Sequence, residues 1–164
     1  MSVNKDVEHV LVLPEDDANR QLANGFWQAV DWSRQRRMQV LAEAGGWNEV
    51  LNLFKSQHVT QMDRCPKRFM VLLIDFDSRE DRLKSVKATI PEHLAERVFV
   101  LGSWTDPQGL KRSDLGHYEK IGSDLAKDCR DDTDTIWRHQ LLRHNTGELD
   151  RLRMHVRPIL FPST

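Results

Sequence analysis

Apolar residues in this chain fall into short unbroken runs, separated by longer stretches in which they recur every third or fourth position. His9-Val-Leu-Val-Leu13, Met38-Gln-Val-Leu-Ala42, the run from Phe69 to Ile74 and Arg97-Val-Phe-Val-Leu101 have strand length. Runs with little polar alternation suit strands buried on both faces of a parallel sheet. Between them, Ala18, Leu22, Phe26 and Ala29, then Trp47, Val50, Leu51 and Phe54, then Leu83, Val86 and Ile90 keep helical spacing. Pro14 ends the first run, and Asp16 or Asp17 suits the N-cap and dipole of the next helix. Ser78 with Asp81 three residues on reads as a capping-box variant, and Pro91 ends that helix. Trp32–Arg37 reads as a polar, basic connection and Gln57–Lys67 as a polar one.

Beyond residue 112 the pattern is helical. Leu115, Tyr118, Ile121, Leu125 and Cys129 make one stripe, Ile136, Trp137 and Leu141 a second, and Leu149, Leu152 and Val156 a third that Pro158 stops. Asp128–Asp134 lacks the glycine and closing Glu of a calcium loop and reads as solvated turn and cap residues. The two His and two Arg of Trp137–Asn145 read as a solvated helical face. Four alternations of strand and helix predict an α/β fold: a Rossmann-like parallel four-stranded sheet flanked by helices. Residues 1–112 form its core, and 113–164 a helical extension packed on the same domain or forming an interface.

Composition adds bounds rather than direction. A chain of 164 residues suits one domain with a real core. A net charge of -1, with 30% of residues charged, demands no nucleic acid but permits a locally basic face. Two cysteines without metal spacing and an opening that lacks an apolar signal core lead us to expect a cytoplasmic protein. No apolar run approaches the ~20 residues that span a membrane, so no membrane association is expected.

The chemistry gathers at strand ends. Asp75 and Asp77 come after the third run and point the same way if the strand continues through them. Two carboxylates so placed repel unless a cation intervenes, and Mg²⁺, which takes oxygen ligands and works with phosphates, is the natural one. Glu15 stands at the first strand-to-helix junction. Gly45 and Gly46 come after the second run, and a Gly-Gly turn either lets backbone N–H groups approach a phosphate or simply supplies positive φ. Asp106 lies beyond the fourth run, before Pro107, where it is either a further site acid or a turn opener. Right-handed crossovers place all of these on one carboxyl edge.

The order of these residues resembles the TOPRIM domain of topoisomerases, primases, recombination proteins and OLD-family nucleases, over about residues 8 to 106. That family carries a Glu after its first strand, a Gly-rich turn after its second and an Asp-Xaa-Asp after its third, matched by Glu15, Gly45-Gly46 and Asp75-Phe-Asp77. The OLD branch has a further acid after the fourth strand, where Asp106 stands. The resemblance implies Mg²⁺- or Mn²⁺-dependent phosphoryl transfer on nucleic acid by a nuclease or nuclease subunit, for phage defence or DNA repair. Asp75, Asp77 and Asp106 would hold metal, Glu15 would be general acid or base, and Gly45 and Gly46 would approach phosphate. Two other readings stay open: a TOPRIM-like module that binds nucleic acid or a partner without cutting, and a doubly wound domain for a small phosphorylated ligand. Asp16, where the family commonly has glycine, favours the module. A protein partner or a second copy would meet the C-terminal helices.

Overall fold

The computed structural model describes residues 3–162, so the extreme positions of both expected segments lie outside the described residues. Strand β1 (His9–Pro14) leads into α1 (Asp17–Gln28), and a tight turn over Trp32–Arg37 enters β2 (Met38–Val40). Helices α2 (Trp47–Leu53) and α3 (Val59–Arg64) lead to β3 (Arg68–Leu73), and α4 (Asp81–Lys87) leads to β4 (Val98–Leu101). Beyond β4 come α5 (Gln108–Arg112), α6 (Tyr118–Asp131), α7 (Thr146–His155) and α8 (Arg157–Leu160). The four strands are all parallel in the order β2-β1-β3-β4, with Val10 beside both Met38 and Phe69, and Val71 beside Phe99. The fold is therefore α/β with a parallel four-stranded sheet flanked by helices, as the alternation of patterns predicts.

Alternation along the strands sorts the core into two layers. Val10, Val12, Phe69, Val71, Phe99 and Leu101 face α1, α6, α7 and α8, whereas Leu11, Leu13, Met70, Leu72, Val98 and Val100 face α2, α3 and α4. The chain leaves β1 on one face, returns across β1 on the other and enters β3. Strand order thus reverses between β1 and β3, which opens a crevice beyond their carboxyl ends. Across the first layer α1 and α6 touch backbone to backbone: a Cβ on Gly25 would lie 2.0 Å from the Glu119 carbonyl oxygen, and one on Gly122 1.9 Å from that of Leu22.

The C-terminal helices close the β4 edge with side chains. Asn145 Oδ1 accepts from Gly102 N (3.1 Å), Glu148 Oε2 from Val100 N (3.2 Å), and Arg151 Nη1 donates to Val98 O (3.4 Å). Positions three apart on the helical segment thus meet positions two apart on the strand. Lys87 and Arg151 neutralise the buried Glu148. Among the described residues, no helix is long and apolar enough to cross a membrane.

Four local expectations fail for physical reasons. The stretch 57–67 is mostly helix: a π turn at Phe54–His58 carries α2 into α3, where the buried Met62 and the partly buried Val59 anchor an otherwise polar surface. Ser78 takes φ +57° and does not cap α4, whose N-terminus has no side-chain cap. Residues 136–141 form turns rather than a helix, because the buried Asp128 carboxylate accepts from Ile136 N, Trp137 N and the Thr133 hydroxyl. Pro158 sits in the first turn of α8 instead of ending a helix, a place where its missing N–H costs nothing.

Candidate functional site at the carboxyl edge

The segments just past β1 and β3 build the crevice. The β1–β3 ladder runs one step past the strand, Glu15 N donating to Leu73 O (2.9 Å), and the carboxylate of Glu15 then turns inward. Its Oε2 accepts from Asp75 N at 2.6 Å in a buried contact. Burial pushes the Glu15 carboxyl above its ordinary range, with the hydrogen bond from Asp75 opposing it and the charges of Asp16 and Asp77 adding to it. Gly45 N and Gly46 N both donate to the backbone oxygen of Glu15, at 2.9 and 3.1 Å. The Gly-Gly turn thus fixes Glu15 and occupies the two amides that a phosphate would need. Positive φ, +100° and +147°, is what requires glycine there, since a Cβ at either position would meet nothing within 4 Å.

Asp75 is buried, and its Oδ1 accepts from Asn19 Nδ2 at 2.9 Å. Burial first, then the neighbouring charges of Glu15, Asp16 and Asp77, raise its carboxyl from 3.8 to about 7 against the pull of the Asn19 hydrogen bond. Asn19 is fully buried in the first turn of α1 and binds Asp16, the N-cap, through both its backbone N and its Nδ2 (2.9 Å each). Its side-chain oxygen is buried with no partner. A buried amide oxygen left so costs about 1–3 kcal/mol, and such an atom marks a place for a water or an ion.

Asp77 departs from the simple alternation. Extended pairing continues past β3, with Ile74 N donating to Leu101 O (2.9 Å) and Phe76 N to Ser103 O (3.0 Å), but Asp77 and Ser78 take φ of +50° and +57° and turn the chain. Arg82 takes up both ends of that turn: one guanidinium nitrogen donates to Asp75 O (2.9 Å) and Asp77 Oδ2 (2.5 Å). Its guanidinium lies 4.4 Å from the centre of the Trp47 ring. Asp106 is exposed, and its Oδ1 accepts from Gln108 N (2.9 Å), the turn-opening reading. The phenol of Tyr118, first residue of α6, has its pKa raised by burial and then by the charges of Asp106, Asp16 and Asp75.

Glu15, Asp75 and Asp77 therefore meet at one crevice, Gly45 and Gly46 support it from behind, and Asp106 stands at its margin. Asn19 and Arg82 escaped the sequence reading, although each is a polar residue within an otherwise apolar helical stripe, beside Leu22 and Val86 respectively. No group of three or more His, Cys, Asp or Glu side chains able to hold a metal is found among the described residues. Magnesium asks for less: one or two carboxylates, with water and substrate phosphate filling its other positions. Asp75, Glu15 and the unpartnered Asn19 oxygen are all hard oxygen donors and fit that demand. Asp77 joins them only if it leaves Arg82. Compared with protein-family models, with curated proteins and with solved structures, the chain has no match.

Proposed function

We propose that this protein performs Mg²⁺-dependent phosphoryl transfer on nucleic acid through a TOPRIM-like site, acting as a nuclease or as the nuclease subunit of an assembly. The observation that carries the reading is the buried contact between Glu15 and Asp75 at the point where strand order reverses, which gathers acids where α/β sheets bind ligands. Asp75 would hold the metal, with Glu15 and the Asn19 oxygen beside it. Bound there, Mg²⁺ supplies charge neutralisation at a phosphate. Glu15, whose carboxyl burial pushes above its ordinary range, is suited to give a proton to a leaving oxygen. Arg82 places a fixed positive charge next to Asp77, where a phosphate can exchange for the carboxylate as its partner.

The test is calorimetric titration of Mg²⁺ and Mn²⁺ into the protein and into Asp75→Ala, with supercoiled plasmid and single-stranded RNA as cleavage substrates. Metal binding and nicking that both vanish in Asp75→Ala are the expected result. Absence of metal binding at millimolar concentrations overturns it. That outcome leads to the second reading, a module that binds nucleic acid or a partner without cutting. The engaged Gly45 and Gly46 amides and the Arg82–Asp77 ion pair favour that module, because they satisfy the crevice with the protein's own groups.

A further inference from the structure

We propose that a second site, at the opposite end of α1 from the acids, binds a single-stranded segment of nucleic acid between Trp32 and a cleft formed by Arg130, Arg153 and Arg157. Trp32 is 86% exposed, so it adds almost nothing to the core. Its backbone is nonetheless held. Asp31 Oδ1 accepts from Ser33 N (3.0 Å) and the Ser33 hydroxyl (2.6 Å), and Trp27 Nε1 donates to Gln35 O (2.9 Å). A rigid turn that displays a tryptophan to solvent, with Arg34, Arg36 and Arg37 in the next five positions, is a stacking surface set among cations.

Beside this turn lies a cleft of about 550 Å³, lined by Asp31, the three arginines and Phe161 among others. Arg34 Nη1 reaches Ile159 O (3.4 Å), so the turn and α8 form one surface. Six arginines stand at this end: Arg34, Arg36, Arg37, Arg130, Arg153 and Arg157. Four aspartates oppose them. Asp131 pairs with Arg130, Asp132 and Asp134 pair with Arg153, and Asp31 is engaged by Ser33. The other four arginines make no ion pair among the described residues. Arg157 directs its donors to Arg130 O (3.1 and 2.8 Å), and Arg153 donates to Asp128 O (3.4 Å) and Thr133 O. In a chain of net charge -1 this is a local surplus of positive charge. A concave cleft whose lining residue Asp31 adjoins the exposed Trp32 in sequence fits a strand with bases and phosphates better than it fits a flat lipid surface. The choice of nucleic acid rests on the phosphoryl-transfer reading; the cleft and its charge do not.

The distance between the two sites gives the inference its meaning. α1 has twelve residues, about 18 Å of helix, and carries Asp16 and Asn19 at one end and the approach to Trp32 at the other. A strand held here would be gripped away from the crevice.

Fluorescence anisotropy tests this with the full chain in EDTA, where cleavage plays no part, and with labelled oligo-deoxythymidylate of about fifteen nucleotides. Trp32→Ala is expected to weaken binding about tenfold, as loss of one base stack does. Arg36→Gln and Arg157→Gln are each expected to weaken it and to reduce the slope of log affinity against log salt by about 0.7. Melting curves of Trp32→Ala, altered at a solvent-exposed position, should overlay those of the parent. Binding indifferent to Trp32→Ala and Arg157→Gln, or binding seen only with anionic lipid vesicles or a polyglutamate peptide, overturns the proposal. The two readings separate cleanly: oligonucleotide binding with this variant pattern but no metal binding sinks the nuclease and keeps the cleft, whereas plasmid nicking with a cleft indifferent to its variants does the reverse.

Discussion

Replacing Asp75 by asparagine is expected to stabilise the metal-free protein, and to do so only as the pH rises. The carboxyl moves from 3.8 in the unfolded chain to about 7 in the folded one. Below 3.8 both states hold the proton and the site costs nothing. Between the two values the unfolded chain releases its proton while the folded chain keeps it, so stability falls with rising pH and levels off above about 7. A displacement of that size corresponds to about 4 kcal/mol favouring the neutral form. Asparagine has nearly the same shape and keeps an oxygen for Asn19 Nδ2, but places no charge beside Glu15, Asp16 and Asp77. A gain of about 2–4 kcal/mol at about pH 8 is therefore expected, shrinking towards zero near pH 4. Urea unfolding of both proteins at stepped pH in EDTA measures it. A difference that does not change with pH, or a loss of stability at about pH 8, refutes the account of Asp75 as a buried acid without a counter-charge. Added Mg²⁺ should then stabilise the parent at high pH by mass action and leave Asp75→Asn unchanged.

Substitutions at two further positions probe what holds the crevice in place. Glu148→Ala leaves Val100 N without an acceptor and Lys87 and Arg151 without their buried partner, so a loss of about 3 kcal/mol in urea is expected. Glu148→Gln, which keeps an acceptor for Val100 N, should recover part of it. Gly122→Val drives a side chain into the Leu22 carbonyl and forces α1 off α6, at a cost of at least about 2 kcal/mol. Hydrogen exchange should then rise first in α1, the helix that carries Asn19.

The sheet was legible because apolar runs of strand length have few other uses in a chain that alternates so regularly with helical stripes. The convergence of Glu15 and Asp75 came from topology alone, since parallel strands with right-handed crossovers share one carboxyl edge. The partner that satisfies each acid could not be read. Asn19 reaches Asp75 across 56 positions of sequence, and no local pattern announces that contact. Asp77 looked like the twin of Asp75, but a positive φ turned it towards Arg82, and a φ value leaves little trace in residue identity when the residue is not glycine. The Gly-Gly turn shows the converse. Its conformation was legible, yet the target of its amides, the Glu15 carbonyl oxygen, belongs to a neighbouring strand's end. Helix α3 stayed hidden because a helix anchored only by Val59 and Met62 has almost no stripe.

The row formed by Asn145, Glu148 and Arg151 bears on how this molecule can associate with itself. A parallel sheet has two open margins, and each is a template on which another chain can build. Here the β4 margin has its Gly102, Val100 and Val98 groups already taken, so among the described residues only the three-residue margin of β2 is left for strand pairing. A sheet with one usable margin can form a closed couple of two copies through β2, and the couple has nothing left to offer a third. Open-ended fibre growth through native sheet edges is barred without any charged or prolyl gatekeeper in β4 itself, and it would begin only once α7 has come away.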